Sequence, residues 1–257
     1  PGEKKLHKSG TPHIGGMAIF AAFLFSYTLW KPSFQDASFR YIIAALLILF
    51  LVGLKDDILG MSPMKKLLAQ VVVAVVASID GDGAIRISGL HGIFNLYDLP
   101  YLASILFSVF TIVVIINAFN LIDGIDGLAS GLGLIAAITF GFWFYYADNL
   151  TYSCMAFSLA GALLGILVFN FSPARIFIGD CGSLTMGFII AALSVKFIEM
   201  NGIFRIQMLS YSYSPDSSNA LSVITDTGMK KMMFNSAPAF AIAVIIVPLY
   251  DTLRSFL

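Results

Sequence analysis

Apolar residues run along this chain in blocks of roughly 17 to 25, the length a helix needs to cross about 30 Å of hydrocarbon, and short polar segments separate the blocks. Eight such blocks are predicted as membrane-spanning helices, at residues 14–30, 39–55, 63–80, 101–118, 129–147, 152–170, 184–200 and 236–253. Two connections break the pattern. Residues 85–98 alternate around Gly89 to Gly92 and predict a small β-hairpin on one face. Residues 201–235 are polar, rich in serine and contain Pro215, which predicts an irregular loop with a short amphipathic piece near Met229, Met232 and Met233. No period of 20 to 50 residues marks a repeat architecture. The expected fold is a single all-α polytopic membrane domain over 1–257, with about eight transmembrane helices.

Composition strengthens this reading. The chain is 58% hydrophobic, 12% charged and has a mean hydropathy of +0.89, whereas soluble proteins carry about 25% charged residues. With a net charge of zero and no basic stripe, the sequence offers nothing to a nucleic acid. One set of ends and loops holds Lys4, Lys5, Lys8, Lys55, Lys65, Lys66, Arg175 and Arg254, against Lys31, Arg40 and Arg86 in the short loops opposite. The positive-inside bias makes the first face cytoplasmic. Cys154 and Cys181 fall on opposite sides and are expected as thiols, since a disulfide needs Cα atoms within about 7 Å.

The candidate chemistry lies at the ends of the apolar blocks. Asp56-Asp57, the segment Asn117 to Asp126 (NAFNLIDGID), Gly179-Asp180-Cys181-Gly182-Ser183 and Asp251 recur at every second crossing, so parity places all four on the lysine-rich face. An ionised aspartate at the bilayer centre costs about 2.5–3.5 kcal/mol, so these residues belong at the boundary. Converging carboxylates there suit a metal and an anionic substrate. Asp123 and Asp126 are three residues apart and would share one side of a helical turn. Gly124 and Gly127 would admit close backbone approach, and Asn117 and Asn120 add amides for a nucleotide or sugar. Gly182 and Ser183 offer donors at a helix N-terminus, and Lys66 offers a cation for phosphate. The plainer alternatives are interfacial charges for Asp56-Asp57, a turn for the Asn/Asp/Gly segment and a helix cap for Asp180 or Ser183. Gly161 and Gly165 read as a close helix-packing pair.

Together, Thr11 to Gly16, Gly53 to Asp57 with Ser62-Pro63, Lys66 and Gln70, Asn117 to Ala129, Asn170 to Gly187 and Pro248 to Thr252 resemble the polyprenyl-phosphate N-acetylhexosamine-1-phosphate transferases, glycosyltransferase family 4. The resemblance implies a bacterial inner-membrane enzyme that moves a sugar phosphate from a UDP-sugar donor to a polyprenyl phosphate acceptor and releases UMP. It implies Mg²⁺, with Mn²⁺ as a substitute, held by Asp57 and Asp180. Asp56, Asp57, Asp123 and Asp126 become catalytic candidates, and Lys66, Asn117, Asn120, Gly182 and Ser183 become substrate contacts. The wording Asn-Leu-Ile-Asp-Gly-Ile-Asp-Gly is more similar to the branch that transfers N-acetylglucosamine-1-phosphate than to the phospho-N-acetylmuramoyl-pentapeptide branch, which stands as the alternative. A transporter with an acidic pathway is a third reading, disfavoured because the acids sit at span ends. The bilayer is a partner, and a homodimer is compatible with the sequence.

Overall fold

The computed structural model describes residues 14–30, 37–79, 84–89 and 98–212, and scattered positions between 241 and 250. Seven helices are defined among the described residues: α1 (Gly15–Trp30), α2 (Ala37–Leu59), α3 (Pro63–Ile79), α4 (Tyr101–Ile122), α5 (Leu128–Tyr146), α6 (Leu150–Asn170) and α7 (Gly179–Ser212). Four of them hold apolar stretches long enough to cross a bilayer: Tyr101–Ile122, Leu128–Tyr146, Leu150–Asn170 and Gly179–Asn201. This is a helical, multi-pass membrane protein. α1 is apolar but shorter.

Helix α7 is the axis of the bundle, packed against α1, α2, α4, α5 and α6. In its apolar stretch 94% of residues are buried, against 39%, 50% and 56% in those of α4, α5 and α6, so it meets protein all round. Two of its buried hydroxyls are satisfied locally, Thr185 Oγ1 and Ser194 Oγ donating to the carbonyls of Cys181 and Ile190 at 2.6 and 2.8 Å. Phe140, Trp143 and Phe144 of α5 cluster against Phe197 of α7 and Tyr152 of α6. Glycine permits the closest helix approaches. A Cβ on Gly16 would lie 2.2 Å from the Gly182 nitrogen, and one on Gly53 would lie 2.5 Å from the Cys181 Cα.

The structure departs from the sequence reading in three places. α7 continues to Ser212, so the first part of the expected loop at 201–235 is helix, about 50 Å in all at 1.5 Å per residue. Residues 84–89 form an extended strap with no strand assigned among the described residues, while 90–97, the rest of the expected hairpin, lie outside them. The strap is pinned by Ile85 N–H to the Ala77 carbonyl (2.8 Å), Ile87 N–H to Ser108 Oγ (2.8 Å) and Ser88, whose N–H and Oγ–H both donate to Glu199. Gly161 and Gly165 pack on nothing, since a Cβ on either would meet no atom within 4 Å. Of the expected span 236–253, helical positions from 241 to 250 are described, and Ala241 and Ile245 are buried.

Candidate active site

The three acid-bearing segments among the described residues come together at one end of the bundle, where α2, α4 and α6 finish and α3, α5 and α7 begin. Asp56 and Asp57 lie in the last turn of α2, which Gly60 closes at φ +69° by donating to the Asp56 carbonyl at 2.9 Å. The Asp57 carboxylate reaches across to α7, accepting from Asp180 N–H at 2.8 Å and Cys181 N–H at 3.0 Å. Two of the amides that a helix N-terminus leaves unsatisfied are thereby paired, and the negative charge favours the positive end of the helix. Gly179, at φ +74°, completes the junction, because a Cβ there would stand 2.9 Å from both Asp57 oxygens. The cap considered for Asp180 or Ser183 is supplied by another helix.

That junction aims Asp180 at Lys66. The Lys66 ammonium bonds Asp180 Oδ1, lies 3.2 Å from Asp56 Oδ2 and donates to Asn120 Oδ1 at 3.2 Å. Asn120 Nδ2 donates to Asp180 Oδ1 and, at 2.8 Å, to Ser183 Oγ. Asp56 Oδ1 also accepts from Met61 N–H, which fixes the turn between α2 and α3. One turn further along α3, Gln70 is fully buried and pairs reciprocally with Asn117, by Asn117 Nδ2 to Gln70 Oε1 at 2.6 Å and Gln70 Nε2 to Asn117 Oδ1 at 3.4 Å. Lys66 with Asn120, and Gln70 with Asn117, form two rungs between α3 and α4.

Residues 123–127 form turns and a bend between α4 and α5, and Asp123 and Asp126 take different partners there. Asp123 caps the end of α4 within the field of Asp180, Asp57 and Lys66. Burial chiefly pushes its carboxyl up to about 8, the Gly179 N–H opposes this, and Asp180 and Asp57 add to the rise. Asp126 turns to the segment before α7 and accepts from Ala174 N–H at 3.0 Å. Only Gly127 of the two loop glycines has positive φ, at +73°. Asn170, at the end of α6, accepts from Gly127 N–H (3.1 Å) and Ser130 Oγ–H (3.0 Å) and donates to the Ile176 carbonyl (3.0 Å).

Lys66, Asn120, Asp56, Asp57, Asp123, Asp180 and Ser183 therefore converge, while Asn117 stands behind them on Gln70. Gly182 packs on Gly16 and Ile178. Asp251 lies outside the described residues. Gln70 and Asn170, given no role from sequence, are recognisable in hindsight as amides inside or ending apolar runs, where each must find partners. Asn and Asp oxygens dominate the cluster, a donor set that suits Mg²⁺ or Mn²⁺. No group of three His, Cys, Asp or Glu side chains among the described residues is arranged to cage a metal. A Mg²⁺ ion takes only one or two protein carboxylates and completes its shell with phosphate and water.

Residues 39–198 match the family model described as glycosyl transferase family 4. The chain belongs to that family. Among relatives in glycosyl transferase family 4 is a phospho-N-acetylmuramoyl-pentapeptide-transferase of Listeria monocytogenes, 32% identical over 204 residues, covering 74% of this chain and 63% of the relative. The enzyme of that name from Streptococcus agalactiae is 30% identical over 262 residues, 92% of this chain and 75% of the relative. A third, from Lactiplantibacillus plantarum, is 38% identical over 212 residues, 73% and 62%. Over the Listeria and Lactiplantibacillus matches, the chain spans less than two thirds of the relative's length. These relatives carry the name of the branch that the wording of the Asn117–Asp126 segment had ranked second.

Proposed function

We propose that this protein transfers a sugar-1-phosphate from a UDP-linked amino sugar to a polyprenyl phosphate at the cytoplasmic face of a bacterial inner membrane, through about eight spans with the strap at 84–89 on the outer side. The observation that carries the reading is the convergence of Asp56, Lys66, Asn120 and Asp180 from four helices at one end of the bundle. In the reaction, an oxygen of the lipid phosphate attacks the β-phosphorus of the donor. The bond from that phosphorus to the bridging oxygen breaks, and UMP leaves. Attacking group, electrophile and leaving group are all anionic, so catalysis rests on charge neutralisation and alignment more than on a strong base.

The residues divide accordingly. Asp180 is the metal ligand best disposed for the task, with Asp123 beside it. Asp57 holds Asp180 in place through the start of α7 and is the second carboxylate read as a metal ligand. Bound there, a divalent cation would neutralise phosphate charge and draw the two substrates into line. Lys66 supplies a further cation for phosphate, Asp56 orients the acceptor phosphate, and Asn120 with Ser183 contacts the donor. Asp126 and Asn170 brace the loops on either side. A homodimer is compatible with this arrangement and is not required by it.

The donor is read as UDP-N-acetylmuramoyl-pentapeptide, because the relatives bear that name. A UDP-N-acetylglucosamine donor is the second reading, favoured by the sequence Asn120-Leu-Ile-Asp-Gly-Ile-Asp-Gly127. The test is UMP release by purified protein with undecaprenyl phosphate and each donor in turn. The pentapeptide donor should react at least about tenfold faster, a difference of about 1.4 kcal/mol in barrier. The opposite preference would establish the second reading, and no release with either donor would overturn both.

A further inference from the structure

Lys66 spends all three of its ammonium hydrogens within the cluster, on Asp56 Oδ2, Asp180 Oδ1 and Asn120 Oδ1. The side chains of Lys66, Asp56 and Asp180 are 14%, 11% and 30% exposed, so water and salt screen the Lys66–Asp56 pair weakly and the Lys66–Asp180 pair somewhat more. The carboxylate proposed to bind a divalent cation is thus already neutralised by a cation of the chain itself. Asp180 Oδ1 also accepts from Asn120 Nδ2. An ion arriving at this oxygen meets a like charge at bonding distance, and the two cannot share it without repulsion.

Lysine suits such a place better than arginine would. Its ammonium is a compact charge on a four-carbon stem with many rotamers, so it can leave one anion for another. The other anions in this setting are the donor's phosphates. We propose that Lys66 is a built-in counter-ion that competes with the divalent cation for Asp56 and Asp180 and moves to the donor's phosphates when they arrive. Cation and nucleotide then bind with a positive coupling that depends on the Lys66 charge, and the site keeps its carboxylates together between turnovers without holding a metal tightly. This inference rests on the proposed reading of the cluster as a metal and nucleotide-sugar site.

The test is a titration of the purified full chain with Mn²⁺, following free Mn²⁺ by electron paramagnetic resonance, without substrate and again with UDP. Lys66→Gln and Lys66→Met remove the charge, and Lys66→Arg keeps it. Without UDP, whichever neutral variant folds should bind Mn²⁺ at least about tenfold more tightly than wild type. Lys66→Arg should stay within about threefold of wild type. UDP should raise Mn²⁺ affinity several-fold more in wild type than in the neutral variants, the complex of Mn²⁺ with UDP in free solution being common to all. Equal or weaker Mn²⁺ binding by a folded neutral variant would overturn the proposal, as would tightening by Lys66→Arg equal to that of Lys66→Gln. A wild type that binds no Mn²⁺ with or without UDP would instead overturn the metal reading beneath it.

Discussion

At the scale of single residues, the two loop aspartates look alike in sequence and sit in different surroundings. Asp123 is half-buried near two other carboxylates, and desolvation, opposed by the Gly179 N–H, pushes its carboxyl up to about 8. The folded state binds more protons than the unfolded chain between about pH 4 and about pH 8, so this group's contribution to stability is present below that window and is lost as pH rises through it. Thermal melts of metal-free protein should therefore show stability falling across that window, with a shallower fall in Asp123→Asn. A slope unchanged by the substitution would mean that Asp123 titrates as an ordinary acid. Asp126 has a different task, accepting one N–H from Ala174, which an amide oxygen can also do. Asp126→Asn should keep most activity while Asp126→Ala loses more, and Asp123→Asn should lose at least about tenfold, or 1.4 kcal/mol of barrier. Equal losses in Asp126→Asn and Asp126→Ala would show that the charge of Asp126 matters to the reaction itself. No spacing rule could separate the two residues, because their partners, Gly179 for Asp123 and Ala174 for Asp126, lie more than forty positions away.

At the scale of elements, α7 is held by its first turn. Asp57 pairs the amides of Asp180 and Cys181, and losing a cap of this kind costs about 0.5–2 kcal/mol. Asp57→Ala should lower the melting temperature and speed hydrogen exchange at those two amides, whereas Asp56→Ala should leave their exchange unchanged. Slow exchange in Asp57→Ala would show that α7 is capped some other way. The glycines give a second contrast. Gly16→Ala or Gly53→Ala would force a Cβ into the backbone of residues 180–182, and folded yield should collapse. Gly161→Ala and Gly165→Ala meet open space and should fold normally, with a gain of roughly 0.5–1 kcal/mol in helix stability. The sequence pattern marks Gly161 and Gly165 as the packing pair and gives Gly16 and Gly53 no packing role. Which of them touches a neighbouring helix depends on how the helices turn about their axes, and a nearly uniform apolar surface gives little sign of that. The extension of α7 to Ser212 was hidden for a different reason, since residues 201–212, half of them apolar, run on without a break into the serine-rich stretch that follows.

At the scale of the whole molecule, hydrophobic run length and crossing parity made much of the architecture legible: the described helices fall close to the predicted blocks, and the three acidic segments among the described residues gather at one end. Single-cysteine labelling should accordingly reach positions 65, 123 and 175 from one side of the membrane and 98 and 148 from the other. Labelling of positions 123 and 148 from the same side would break the shared face. Less legible were the partners within the site, because contacts such as Lys66 with Asn120 and Asp57 with Cys181 join helices far apart in sequence. The choice of donor was less legible still. The carboxylate cluster handles phosphates that either donor carries, and the relatives' names favour the branch ranked second by local wording. The central claim is that the cluster around Asp180 is the centre of phosphoryl transfer, and its most direct test is Mg²⁺-dependent UMP release by Asp180→Asn. The account predicts a loss above roughly a hundredfold, about 2.7 kcal/mol of barrier, with folded yield and melting temperature close to wild type. Near-wild-type release with unchanged Mg²⁺ dependence would contradict it.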